Sequence, residues 1–312
     1  MKKTIAVTGR GEKVKRISPQ ARHNNLVGYL FLTPFLIGLF ACTLYPFVYS
    51  LYLSFTDYNI TSRSNWIGFD NFVKMFTADE KFWISFRVTC KFAVIQVPAK
   101  LIVSLLVAVI LSKATKLTNA YRAAFYIPSL IGGTVAVAMT WSQLWNTDGV
   151  VNKLPALVGI QGKNWINNPK TALYILILLG VWQFGSQMLI FLAGIKDIPK
   201  SLHEAAIVDG AGPVKRFFRI TLPMLTPCIF FNLVNGIIGC MQAFNSAFLI
   251  TAGGPMNSTL YFGLYQYQQA FSYQHMGYAS AMAWFMMIVI VLLTALVFRS
   301  SSGWVYYQDD RS

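Results

Sequence analysis

Six apolar runs, free of Asp and Glu, alternate along this chain with short polar or basic stretches. They fall at about 26–53, 87–111, 123–145, 171–195, 224–250 and 277–298. A helix needs about 20 apolar residues to cross the roughly 30 Å hydrocarbon core of a bilayer, and each run reaches that length. A single run of this kind could be a buried helix of a soluble domain. Six of them predict an all-α membrane protein with six transmembrane helices. The chain then divides into a tail at 1–25, a transmembrane domain over 26–300 and a second tail at 301–312.

Helix breakers sit inside several runs. Pro34 and Pro46 bend the first, and Pro128 with the Gly132-Gly133 pair interrupts the third. Within a bilayer such breaks are tolerated only where neighbouring helices satisfy the freed carbonyls. The loop at 54–85 carries Asp57, Asp70, Asp79 and Glu80, and its Phe69–Phe76 and Phe82–Phe86 stretches predict short surface helices. The loop at 146–170 is rich in turn residues, and the loop at 251–276 contains Thr251-Ala252-Gly253-Gly254-Pro255.

Composition agrees with the pattern. Hydrophobic residues make up 55% of the chain and charged residues only 12%, too little charge for the surface of a soluble domain of 312 residues. The net charge of +15 would suit a nucleic-acid partner, but position argues otherwise. Seven Lys and Arg lie in residues 1–25, three in 112–122, five in 196–223 and two after 298. That asymmetry is the positive-inside bias, so it predicts orientation, with both termini and the 196–223 segment in the cytoplasm, and needs no nucleic acid. The first run is too long for a cleaved signal and is expected to stay as a span. Cys42, Cys90, Cys228 and Cys240 have no CxxC spacing, and His23, His203 and His275 are scattered, so no disulfide framework and no metal site are expected.

The segment between the fourth and fifth runs, 196–223, is long and polar for a helix connection. Ser201 followed by Glu204 has the spacing of a capping box, Ala205 and Ala206 continue a helix, and Asp209-Gly210-Ala211-Gly212-Pro213 ends it in a sharp turn. A second short helix over Val214–Ile220 precedes Pro223. Small residues on an exposed helix tip, followed by a tight bend, shape a knob that can enter a groove on another protein.

The residues Glu204-Ala205-Ala206, Gly210, Ile220 and Leu222-Pro223 resemble, position for position, the "EAA" loop of the permeases of binding-protein-dependent ABC importers. Shorter pieces are similar to carbohydrate-uptake permeases of the maltose type, first-permease branch: Pro34-Phe35, Tyr45-Pro46, Ser54–Tyr58, Gly68–Phe72, Val97-Pro98 and Thr251–Pro255. The resemblance implies a bacterial or archaeal cytoplasmic-membrane location. It also implies a second, homologous permease, two ATPase subunits that bind ATP and Mg, and an extracytoplasmic solute-binding protein delivering a sugar. Glu204, Ala205, Ala206, Asp209, Gly210, Ile220, Leu222 and Pro223 would then couple to the ATPase. The chain carries no GxxxxGK[ST] phosphate loop of its own and so is expected to be no enzyme and to need no cofactor. The lack of acidic residues in the spans argues against a proton- or sodium-coupled carrier, which commonly keeps carboxylates there.

Polar residues inside the spans mark a candidate substrate path. On one straight helix Asn232, Asn235, Gln242 and Ser246 fall along one stripe with Asn245 at its edge, and Gln183 and Gln187 share a face of the fourth span. Amides and hydroxyls both donate to and accept from sugar hydroxyls, and Trp182 and Phe244 offer rings for stacking. The alternative role of such amides is to hydrogen-bond neighbouring helices. Lys100, inside the second span, either snorkels, pairs with a helix C-terminus or faces a hydrated path, where it would favour an acidic saccharide such as a uronate oligosaccharide. A permease for another polar solute, such as a glycerophosphate, is an alternative in the same class. A membrane scaffold or sensor that transports nothing is the reading from another class.

Overall fold

The computed structural model describes residues 19–60, 64–113, 118–156 and 163–306. The basic residues expected in the tail before residue 19, those at 114–117 and those after 306 lie outside the described residues. By its contacts the chain forms two units, with the division between Tyr52 and Leu53.

The first unit is a helical rod built from α1 (Pro19–Gly38), a π-helical turn (Leu39–Leu44) and α2 (Tyr45–Ser54), the last of which ends two residues past the division. Over Val27–Ser54 it is long and apolar enough to cross a membrane. Pro34 is carried within α1. The widened turn directly precedes Pro46, whose ring cannot sit beneath the carbonyl of Cys42 in a regular α-helix; widening removes that clash. The rod begins at Pro19, before the run predicted from residue 26.

The second unit is built of helices joined by turns and loops, and its described residues contain no strand beyond two isolated β-bridges. After α3 (Asp70–Thr77) comes α4 (Glu80–Ser112), the longest helix and the axis on which the others pack. Then follow α5 (Thr118–Ile131), α6 (Val135–Trp145), α7 (Val150–Ala156), α8 (Ala172–Trp182), α9 (Gly185–Asp197) and α10 (Lys200–Val208). The short α11 (Pro213–Arg216) and α12 (Leu222–Met224) flank a π-helical turn. The chain closes with α13 (Thr226–Met241), α14 (Asn245–Ile250), α15 (Phe262–Tyr267) and α16 (Met276–Ser301). Among the described residues, the α1–α2 rod, α4 and α16 are each long and apolar enough to span by themselves, and three bent pairs pass the same test together. These pairs bend by 96° between α5 and α6, 44° between α8 and α9, and 62° between α12 and α13.

Several expectations are corrected. Phe82–Phe86 is not a surface helix but the first turns of α4. Asp79 accepts a hydrogen bond from the Phe82 amide at 3.1 Å and so starts the helix before Glu80. Phe82, fully buried, packs edge-on against Phe76, Phe262 and Phe285. The fifth run is not one helix over 224–250, because it breaks between Met241 and Asn245. The segment 251–276 is not a plain surface loop. It folds back as α15, burying Tyr261, Phe262, Leu264 and Tyr265, with the Phe262 amide donating to Thr89 Oγ1 on α4 at 2.8 Å. Its Thr251–Pro255 turn is closed by the Thr251 and Thr259 hydroxyls, 2.7 Å apart, and by Thr259 donating to the Gly254 carbonyl.

Asp79 also gathers three elements at this end of the unit. Its Oδ2 accepts from the Tyr265 hydroxyl of α15 at 2.7 Å and the Tyr278 hydroxyl of α16 at 2.5 Å. Gln269 donates to Tyr265 and contacts His275 Nδ1, while the Lys74 ammonium stands 5.1 Å from the Tyr278 ring. Burial, and then the Asp79 carboxylate, push the Tyr265 hydroxyl above its ordinary range, which keeps it a donor. Asp79→Ala removes a helix cap and the charged acceptor of two tyrosines. Each such loss is worth about 1–2 kcal/mol, so we expect the purified protein to lose about 2 kcal/mol or more of stability in a thermal-shift measurement, and Asp79→Asn to lose less.

Candidate functional site

The elbow between α10 and α11 follows from its sequence almost bond by bond. The Gly210 amide donates to the Ile207 carbonyl at 2.9 Å and the Ala211 amide to the Ala206 carbonyl at 2.8 Å, the paired bonds of a Schellman helix end. That motif demands a left-handed residue, and Gly210 has φ +72° with open space around it. Pro213 then starts α11, where its missing N–H costs nothing. The expected capping box is absent: α10 begins at Lys200 with Pro199 before it, and no side chain caps it. Pro199 sets the helix start two residues earlier, so Ser201 lies inside the helix. The predicted second helix likewise starts at Pro213 and extends through the π turn to Met224.

No residue of α10 is buried, and Glu204, Ala205, Asp209 and Gly210 are exposed. Val208, at 88% exposure, and Val214, at 70%, present apolar tips beside them. The elbow joins the helical bundle at Leu225, which is fully buried, and a side-chain carbon built on Gly194 of α9 would lie 2.9 Å from it. Ile220 and Leu222 are half-buried and Pro223 is exposed along this joint.

The second feature is a cavity of about 430 Å³ in the second unit, formed where three helix breaks face α4. It lies between the glycines preceding α6, the α8–α9 break at Gln183 and the α13–α14 break at Gln242–Phe244. The first two of these breaks satisfy each other. Ser129 of α5 donates to the Gln183 carbonyl at 3.1 Å and accepts from the Ser186 amide at 3.2 Å, capping α9 from a neighbouring helix. In return the Gln183 side chain donates to the Gly132 carbonyl at 3.2 Å. Irregular backbone is thus placed where protein hydrogen bonds replace those of the interrupted helices.

Of the residues expected on the path, Lys100, Gln183, Gln187, Asn235, Gln242, Asn245 and Ser246 line this cavity. They do so although Gln242 and Asn245 belong to no continuous helix with Asn235; the break, not a straight stripe, turns them inward. Asn232 does not line it. At 1% exposure it is buried against α9, with its amide 3.4 Å from the Gln187 carbonyl, which makes it interhelical packing. Phe244 reaches the cavity, whereas Trp182 packs at a tilt against Trp141, 5.9 Å between ring centres, and does not. Gln96 was missed. It is buried, lines the cavity, and its Oε1 has no hydrogen-bond partner. The available signal was its spacing: an amide four residues before Lys100 shares a face with it in an otherwise apolar helix.

Glycine makes room for these amides. A side-chain carbon on Gly180 would fall 2.2 Å from Gln96 Nε2, and one on Gly132 would fall 2.4 Å from the Gln183 side chain. No group of three or more metal-ligating side chains occurs among the described residues.

Residues 82–311 match the sequence profile of a family described as the inner membrane component of binding-protein-dependent transport systems. The chain is 51% identical over 306 residues to the probable ABC transporter permease protein YesP of Bacillus subtilis, covering 97% of this chain and 99% of that protein. It is 34% identical over 280 residues to the sulfoquinovosyl glycerol transport system permease protein SmoG of Agrobacterium fabrum, covering 88% and 90%. Its fold matches a chain in the crystal structure of a bacterial alginate ABC transporter in complex with its pentasaccharide-bound periplasmic protein. There the TM-score is 0.79 at 22% identity, over 90% of this chain and 96% of that one. With more than half its length matched by the profile, and close relatives along nearly all of it, the chain belongs to the family of inner-membrane permease components of binding-protein-dependent ABC transport systems.

Proposed function

We propose that this permease conducts a saccharide through the amide-lined cavity, moved by an ATPase that grips the exposed elbow. The observation that carries the reading is the meeting of three helix breaks, two of them bonded to each other, around amides from α4, α9 and α13. Such a site recognises hydroxyls by donating and accepting, and its volume falls in the roughly 300–1,000 Å³ range of small-molecule pockets. Several relatives bear the names of sugar or oligosaccharide permeases, among them SmoG and the arabinooligosaccharide permease AraP of Bacillus subtilis.

In this reading each bent pair counts as one span, which makes six with the three single helices. The positive-inside bias puts the elbow and both termini in the cytoplasm. Glu204, Ala205, Ala206 and the Gly210 turn form the docking face. Closure of the ATPase would push on the α10–α11 elbow, and Ile220, Leu222 and Pro223 would pass the motion through Leu225 into α13, whose far end carries Gln242. The partners are a second homologous permease, two ATPase subunits using ATP and Mg, and an extracytoplasmic binding protein. Reconstituted vesicles holding the assembled importer should accumulate labelled saccharide only with ATP inside the motor compartment; accumulation without ATPase subunits would sink the proposal.

The cavity itself is tested by Gly180→Ala. The added carbon meets only a side-chain amide, so the helices can stay in place while Gln96 is displaced. We expect the thermal midpoint to hold and the saccharide concentration at half-maximal uptake to rise severalfold, as the loss of about one hydrogen bond would give.

A further inference from the structure

Lys100 is the one charged side chain among the described residues that line the cavity, and no Asp, Glu, Arg or His lies there beside it. It is half-buried in α4 and makes no ion pair or side-chain hydrogen bond with any described residue. Structural pairing, the ordinary reason for a lysine within a span, therefore has no partner among the described residues. An ammonium withdrawn from water is costly unless something compensates it.

One turn before it, Gln96 sets a buried and unpartnered amide oxygen on the same wall. A second electropositive feature borders the same cavity. Gly132, Gly133 and Thr134, which lead into α6, line it, and the first turn of that eleven-residue helix carries the positive end of its dipole. Around the remaining wall, Asn235, Gln242 and Asn245 are neutral.

From this arrangement we infer that the cavity selects an anionic saccharide, with Lys100 binding a carboxylate of the sugar and the amides binding its hydroxyls. The inference rests on the saccharide reading above and adds the charge of the cargo. A carboxylate completes the lysine's missing charge pair, and the Gln96 carbonyl can accept from a hydroxyl next to it. A neutral sugar would leave the ammonium uncompensated on every passage.

The test uses the whole importer in vesicles with its binding protein saturated, and a panel of uronate disaccharides, each paired with its methyl ester. Acid and ester share rings and hydroxyls and differ in the charge. Selection by the binding protein is measured separately by titration calorimetry, so that the remaining preference belongs to the permease. The wild-type importer should favour acid over ester by about ten- to a hundredfold, the span of a charge-assisted hydrogen bond. Lys100→Gln should shrink that ratio at least tenfold, and Lys100→Arg should largely restore it. Because the readout is a ratio within one preparation, a lower yield of variant does not imitate the effect. An unchanged ratio in Lys100→Gln, or an equal fall for acid and ester, overturns the inference and makes the lysine a structural group paired elsewhere in the assembly. If neutral disaccharides accumulate and uronates do not, the inference fails while the saccharide reading stands. If no saccharide of either kind accumulates, both fail.

Discussion

Gly210→Val should cut ATP-driven uptake at least tenfold while leaving the amount of protein in the membrane unchanged. The glycine holds φ +72°, where an L-residue pays roughly 1–2 kcal/mol and a β-branched one more. Nothing lies within 4 Å of the added carbon, so the strain is in the backbone alone. The chain can relieve it only by abandoning the bonds from the Gly210 and Ala211 amides, and that swings α11 away from α10. Because none of α10 is buried, the bundle loses little stability when the elbow changes shape. What falls is the population with the docking geometry, and each 1.4 kcal/mol of bias lowers it tenfold. Gly212→Ala makes a matched control, since Gly212 sits at φ −67° with open space and should tolerate the change. Normal uptake by Gly210→Val would remove the elbow from the coupling path.

The largest loss of stability is expected from Gly185→Val. A carbon there would stand 2.5 Å from the Phe125 carbonyl and 2.7 Å from Tyr126 Cα, both backbone atoms of α5, so no rotamer change relieves it. Helix α5 must move off α9. It takes Ser129 with it, and the Ser129 bonds to the Gln183 carbonyl and the Ser186 amide go too. Overpacking costs about 1–3 kcal/mol, and the two broken bonds add about 1 kcal/mol each, so a loss of about 3 kcal/mol or more is expected. Thermal unfolding of the purified complex should show it as a lower midpoint, and the cavity beside the break should lose transport as well. Gly133→Ala, in open space beside the same cavity, should leave the midpoint in place.

The class of the fold was legible in the apolar runs because a bilayer imposes one length on every span. The elbow was legible because its determinants are local: a glycine for the left-handed turn and a proline at N1 act within a few residues of themselves. Even there the cap was misread, since Ser201-x-x-Glu204 satisfies the pattern of a capping box and only the preceding Pro199 decides where the helix begins. The start of α4 went unread for a different reason. Charges at Asp79 and Glu80 suggest a loop, while Phe82 is buried by Phe262 and Phe285, aromatics about 180 and 200 residues away in sequence.

What this sequence determined by itself was the all-helical, apolar class of the fold, the left-handed elbow and the stock of amides in the apolar runs, all fixed by short-range chemistry. Only the tertiary structure decided which amides do what. Asn232 and Asn235 stand three residues apart on α13, yet the first is buried against α9 and the second lines the cavity. The break after Met241 turns Gln242 and Asn245 inward, and Gln96 joins them from a helix more than a hundred residues earlier. The physical reason is that a polar group in a bilayer must find a partner, and whether that partner is a neighbouring helix or a solute depends on how the broken helices dock against one another.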